Sequence, residues 1–206
     1  MIETVIVILF ATLIIIYKIV YRQKIVNVEA FDGQKYLVNN LSDSKQAADV
    51  LAILMNKLYQ LVDIIIRNYK EGSDKEDDMF INYVRKIKQR LPYVKISETA
   101  LNSSYTSYSI NKGEELVFCI RNKYDYKIHN INELLYVAIH EIAHIGCPEV
   151  GHTELFKEIN VYLLKKAVCY KIYRYIDYFM NNHDYCGLTL SSTILPDNIK
   201  CKVRVK

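Results

Sequence analysis

The chain opens on an apolar stretch, Ile2 to Tyr21, with Val5-Ile-Val-Ile-Leu-Phe-Ala-Thr-Leu-Ile-Ile-Ile16 at its centre. About twenty such residues in a helix match the hydrocarbon thickness of a bilayer, so the pattern predicts one N-terminal transmembrane helix within 1–24. Glu3 precedes the run, no Lys or Arg does, and no small-residue cleavage site follows, which favours an uncleaved anchor over a signal peptide. Lys18, Arg22 and Lys24 follow it and predict that the remainder lies on the cytosolic (or virion-interior) side of the membrane. Residues 25–45 are expected as a short extended connector: Ile25-Val-Asn-Val-Glu29 alternates, Asp32-Gly33 offers a turn, and Tyr36-Leu-Val38 is a second candidate strand.

Helical spacing takes over from Ser44 to Tyr69, where Ala48, Leu51, Leu54, Met55, Leu58, Leu61, Val62 and Ile65 recur on one face. The run Gly72-Ser-Asp-Lys-Glu-Asp-Asp78 predicts a solvated loop, and Met79 to Leu91 a second helix stopped by Pro92. Tyr105–Ile110 and Leu116–Arg121 flank Asn111-Lys-Gly-Glu114, a hairpin signal. Asn130 with Glu133 three residues on resembles a capping box, and Gly146 and Pro148 supply a stop. Between them Leu134, Leu135, Val137, Ala138, Ile139, Ile142, Ala143 and Ile145 cover nearly every side, the signature of a buried central helix. A helix of about 28 residues is expected after His152, and nothing long and periodic beyond Asn182. Residues 46–206 thus read as one domain of α+β class.

Charge and cysteine content narrow the picture. The net charge of +4 is scattered, so no nucleic-acid binding is expected. The cysteines, Cys119, Cys147, Cys169, Cys186 and Cys201, are odd in number and form no CxxC pair, which predicts reduced thiols in a cytosol-like compartment.

The chemistry concentrates in the central helix, at His140-Glu141-Ile-Ala-His144. Residues four apart share a helix face, so His140 and His144 can grip one Zn²⁺ ion. Glu141, about a hundred degrees further round, can reach a water on that metal without becoming a ligand. A third ligand is required. His152, after Gly146-Cys-Pro-Glu-Val-Gly151, is the leading candidate, with Glu149, Glu154, Glu158 and Cys147 as rivals. Val150 excludes the metzincin spacing. Tyr178 and Tyr185 can each bring a hydroxyl near the metal, although packing is the commoner fate of tyrosine. His183 reads as a surface histidine rather than a ligand.

Ser109-Ile-Asn-Lys-Gly-Glu114, Val117-Phe-Cys-Ile-Arg121, Asn132 to Cys147, Gly151 to Phe156 and Asp184-Tyr-Cys-Gly187 together resemble the WLM/SprT-like zinc metalloproteases. The likeness is especially to the small membrane-anchored versions of large DNA viruses and algae. It covers roughly half the chain, and the zinc motif is its specific part. It implies a minimal zincin-like domain: a central HExxH helix, a small antiparallel sheet and long flanking helices. It further implies His140, His144 and His152 as zinc ligands, Glu141 as the catalytic residue, and a protein or peptide substrate. In a zincin the strand above the active-site helix can hold extended substrate by sheet addition, and that role would fall to Leu116–Arg121. The expected activity is that of a membrane-anchored zinc metallopeptidase; the alternative is a catalytically silent, zinc-stabilised scaffold protein of a membrane or virion. The interval from His144 to His152 is not that of the best-known WLM proteases, so no DNA-repair role is carried over.

Overall fold

The computed structural model of the chain describes residues 2–22, 25–191, 194, 195, 199 and 201, with side chains from residue 6 onward and, within the first helix, up to residue 17. Helices Ile2–Arg22 (α1), Ser44–Asn68 (α2), Lys75–Arg90 (α3), Ile131–Gly146 (α4) and Glu154–Cys169 (α5) accompany two sheets. The larger sheet is built from Ile25–Glu29 (β1), Lys35–Asn39 (β2), Lys95–Glu98 (β3), Tyr108–Ile110 (β4) and Glu115–Phe118 (β5). His183–Tyr185 (β6) and Leu188–Leu190 (β7) form a separate hairpin. The class is α+β, and the larger sheet is mixed rather than antiparallel. Its order is β1-β2-β3-β5-β4, with β3 parallel to both β2 and β5 and antiparallel pairs at the two ends. Parallel neighbours need a crossover, and α2 with α3 supplies it between β2 and β3.

The N-terminal expectation needs correction. Among the described residues no helix is long and apolar enough to cross a membrane. The flanking charges invoked for orientation, at Lys18, Arg22 and Lys24, lie outside the described side chains. The two extended stretches expected within 25–45 form β1 and β2, but they belong to the main sheet rather than to a separate connector, and Tyr36 and Val38 are buried there.

Other boundaries moved for local reasons. The acidic run is not wholly a loop: Asp74 caps α3 by accepting from the Glu76 N–H at 2.9 Å, and Glu76, Asp77 and Asp78 occupy its first turn, where the helix dipole favours carboxylates. The last helix stops at Cys169 instead of running on, and Lys171 takes a left-handed conformation (φ 58°) just beyond it.

One core joins these layers. Leu51, Leu54 and Leu58 of α2, Leu134, Ala138 and Ile142 of α4, Phe118 of β5 and Ile120 just after it are buried together. At its edge Arg121, 3% exposed, bonds Glu98 at 2.8 Å and Asp43 at 2.6 Å, tying the end of β3 to the start of α2. Four of the five cysteines, expected reduced, are paired: Cys119 with Cys186 and Cys169 with Cys201, leaving Cys147 free and buried. The first pair fastens the β6–β7 hairpin to the end of β5.

Candidate metal centre

Helix α4 starts at Asn130, whose side chain accepts from the Asn132 N–H at 2.8 Å. Only half of the expected capping box forms, because Glu133 turns toward His129 and His183. The helix continues through two buried turns and carries His140 and His144 on one face. The chain then breaks, and at Gly151 it takes a left-handed conformation (φ 84°) that a side chain would resist. Thr153 next caps α5 by accepting from the Phe156 N–H. This turn brings His152 back over α4.

The three imidazoles converge. One ring nitrogen from each of His140, His144 and His152 lies within 4.8 Å of the others. The Nε2 atoms of His140 and His152 are 3.0 Å apart. Tetrahedral ligands at zinc distances are separated by about 3.3 Å, so the donor set fits Zn²⁺ in spacing and in chemistry. Burial, followed by the neighbouring imidazoles, pushes His140 and His144 down to about 4. Both are therefore neutral, the form that ligates, at ordinary pH. The rivals for third ligand are placed otherwise: Glu154 pairs with Lys157 at 2.6 Å, Glu149 is an exposed part of the cleft rim, Cys147 is buried, and none of these nor Glu158 joins the three histidines as a donor group.

Phe156, in the first turn of α5, props the whole arrangement. Its ring stacks on His144 at 4.0 Å between centroids and meets His140 at 4.9 Å and His152 at 5.0 Å edge-on. Phe156 is a residue that the sequence does not single out as part of the site; its place four residues after His152, at the start of α5, is the available signal.

Glu141 is 5% exposed and lines the same cleft as the histidines. Burial pushes its carboxyl up to about 7. The cleft encloses about 790 Å³. Thr106 to Ser109, Tyr136, Val137, Tyr185, Leu188 and Leu190 line it together with the histidines. The strand beside the site is β4, at the sheet edge; β5, within the segment expected in that role, lies inside between β3 and β4. Of the two tyrosines considered, Tyr178 packs on Tyr136 (5.0 Å between centroids) and is not in the cleft lining. Tyr185 does line it, with its hydroxyl 2.6 Å from Ser107 Oγ and its acidity suppressed by burial.

No family model and no solved structure matches the chain. Three viral proteins are similar to it. "Uncharacterized protein R325" of Acanthamoeba polyphaga mimivirus is 34% identical over 163 residues, covering 79% of this chain and 80% of the relative. "Uncharacterized protein 136R" of Invertebrate iridescent virus 6 is 29% identical over 178 residues, 85% of this chain and 92% of the relative. "Uncharacterized protein 042R" of Invertebrate iridescent virus 3 is 35% identical over 82 residues, 40% of this chain and half of the relative. At that identity and coverage, the chain belongs to the same family as protein R325 of Acanthamoeba polyphaga mimivirus.

Proposed function

We propose that the chain is a zinc-dependent metallopeptidase, held to its metal by His140, His144 and His152 and using Glu141 as general base. One observation carries this reading: three converging imidazoles share a cleft with a buried carboxylate adjacent in sequence to one of them. A site needed only for stability has no use for that carboxylate, whose burial is costly. Bound Zn²⁺ would supply Lewis acidity toward a carbonyl and lower the pKa of water at the site.

The chain's own residues do the rest. Glu141 takes the proton of the attacking water and returns it to the departing amine, a role suited to a carboxyl raised toward neutrality. An extended substrate segment lies along β4, whose outer edge has no strand beside it among the described residues, and gains main-chain hydrogen bonds there. Tyr185 borders the same space, and we assign its hydroxyl, paired with Ser107, as a donor to developing negative charge.

The test compares zinc-loaded full-length wild type with Glu141→Gln on a mixture of quenched fluorescent peptides. The expected result is hydrolysis by wild type, abolished by chelation and restored by zinc, and reduced about a hundred-fold to ten-thousand-fold in Glu141→Gln with zinc content unchanged. Equal rates in the two proteins would refute the reading. A zinc-stabilised scaffold would show bound zinc and no turnover by either protein.

A further inference from the structure

We propose a second zinc site, formed by His129, Glu133 and His183 and distinct from the histidine triad. One ligand atom from each of these residues lies within 4.8 Å of the others. The Glu133 carboxylate sits between the two imidazoles, with Oε1 3.1 Å from His183 Nε2 and Oε2 3.7 Å from His129 Nδ1. Each carboxylate oxygen thus faces one imidazole, and the cluster is small enough to close on a single zinc ion. Two imidazoles and one carboxylate are a donor set that Zn²⁺ accepts, leaving a fourth position open to solvent on the His183 side.

The surroundings suit a metal better than a surface ion pair. The side chains of His129 and Glu133 are 6% and 13% exposed, so both are largely withdrawn from water, whereas His183 is 46% exposed and gives an ion a way in. The remaining charged groups near His129 are Asp125 and Asp184, both favouring a cation. The first of them is placed by an Asx turn to Lys127, and the second accepts from the Gly187 N–H, so neither competes directly for the three ligand atoms.

Position gives this site its role. Glu133 precedes His140 by seven residues, two turns of α4, so the two sites share a helix face about 10 Å apart. That exceeds the roughly 4 Å of a two-metal catalytic centre, so the second ion holds structure and takes no part in the proposed hydrolysis. His183 begins β6, and two residues later Tyr185 enters the cleft wall. The hairpin is already fastened at its tip by Cys119–Cys186. Zinc on His183 would fasten its base to α4 and fix the wall of the cleft.

The experiment counts zinc by mass spectrometry in full-length chains that have been stripped with chelator, reloaded with zinc and gel-filtered. About two equivalents are expected in wild type, about one in His183→Ala and in Glu133→Gln, and about one in the His140→Ala/His144→Ala double variant. Glu133→Gln keeps the side-chain shape, and His183 is half-exposed, so at least one of the two remains folded; circular dichroism identifies which. The melting temperature of the double variant should still rise on adding zinc. If that variant binds no zinc, or if folded His183→Ala and Glu133→Gln both bind as much as wild type, the second site does not exist. Loss of zinc from the triad alone would overturn nothing here, so failure of the peptidase reading and failure of this one are separable.

Discussion

His152 is the residue on which the ligand assignment turns. It is exposed on a bend, yet its Nε2 reaches within 3.0 Å of His140, because Gly151 and the Thr153 cap fix the path between two helices. His152→Ala is expected to weaken zinc binding at the triad by at least ten-fold in a competition titration against a chromophoric chelator, with secondary structure unchanged. Phe156→Ala should do two things: lower stability by about 3–5 kcal/mol in urea unfolding, and loosen the three rings it touches, which the same titration would detect. A zinc affinity equal to wild type in Phe156→Ala would limit that residue to core packing. At this scale the sequence was informative where ligands are close along the chain. His140 and His144 follow from helical period, and His152 lies just beyond. His129 and His183 are brought together only by the return of the β6–β7 hairpin, and no local pattern announces that.

Between elements, the β4–β5 turn packs closely against α4. Gly113 has φ 95°, and a Cβ there would fall 2.6 Å from Ile145 Cγ1. Gly113→Ala therefore combines backbone strain with a steric conflict against α4, and about 1–3 kcal/mol of destabilisation is expected in chemical denaturation. An unchanged midpoint would mean that the turn does not bear on α4. The hairpin itself was legible from Asn111-Lys-Gly-Glu114, and α2 from its apolar spacing almost to the residue. Strand order was not. Nothing local tells that β3 lies between β2 and β5, and this is why the edge position was expected for the Leu116–Arg121 segment and is found at β4. The overlong last helix has a similar cause: apolar residues continue past Cys169, but Tyr173 and Tyr178 serve the core from irregular chain.

For the molecule as a whole, long-range ties decide stability. The buried Arg121 joins Glu98 and Asp43, so Arg121→Ala should cost about 3–5 kcal/mol by stranding the Glu98 carboxylate in the interior. The Arg121 hydrogen bond is the largest of the influences on Asp43 and holds its pKa below the ordinary 3.8. A depressed carboxylate contributes stability that is present above its unfolded pKa and is lost as pH falls through the folded one. Acid unfolding followed by circular dichroism should therefore show that wild type loses stability below about pH 4 and that Asp43→Asn lacks this portion of the loss. Such ties escaped the sequence, as did the disulfides, because Cys119 and Cys186 are 67 residues apart and Cys169 and Cys201 are 32 apart. The apolar N-terminal run misled for a different reason: composition alone equates length of apolar sequence with a span, and among the described residues no helix is long and apolar enough to make one. The central claim, that this cleft hydrolyses peptide bonds through Glu141, is tested most directly by cleaving a denatured protein in H₂¹⁸O with the zinc-loaded full-length chain and sequencing the products by mass spectrometry. New C-termini carrying one ¹⁸O atom, present with wild type and missing with Glu141→Gln at equal zinc content, are the expected result; no new C-termini with wild type, or equal labelling with the variant, would contradict it.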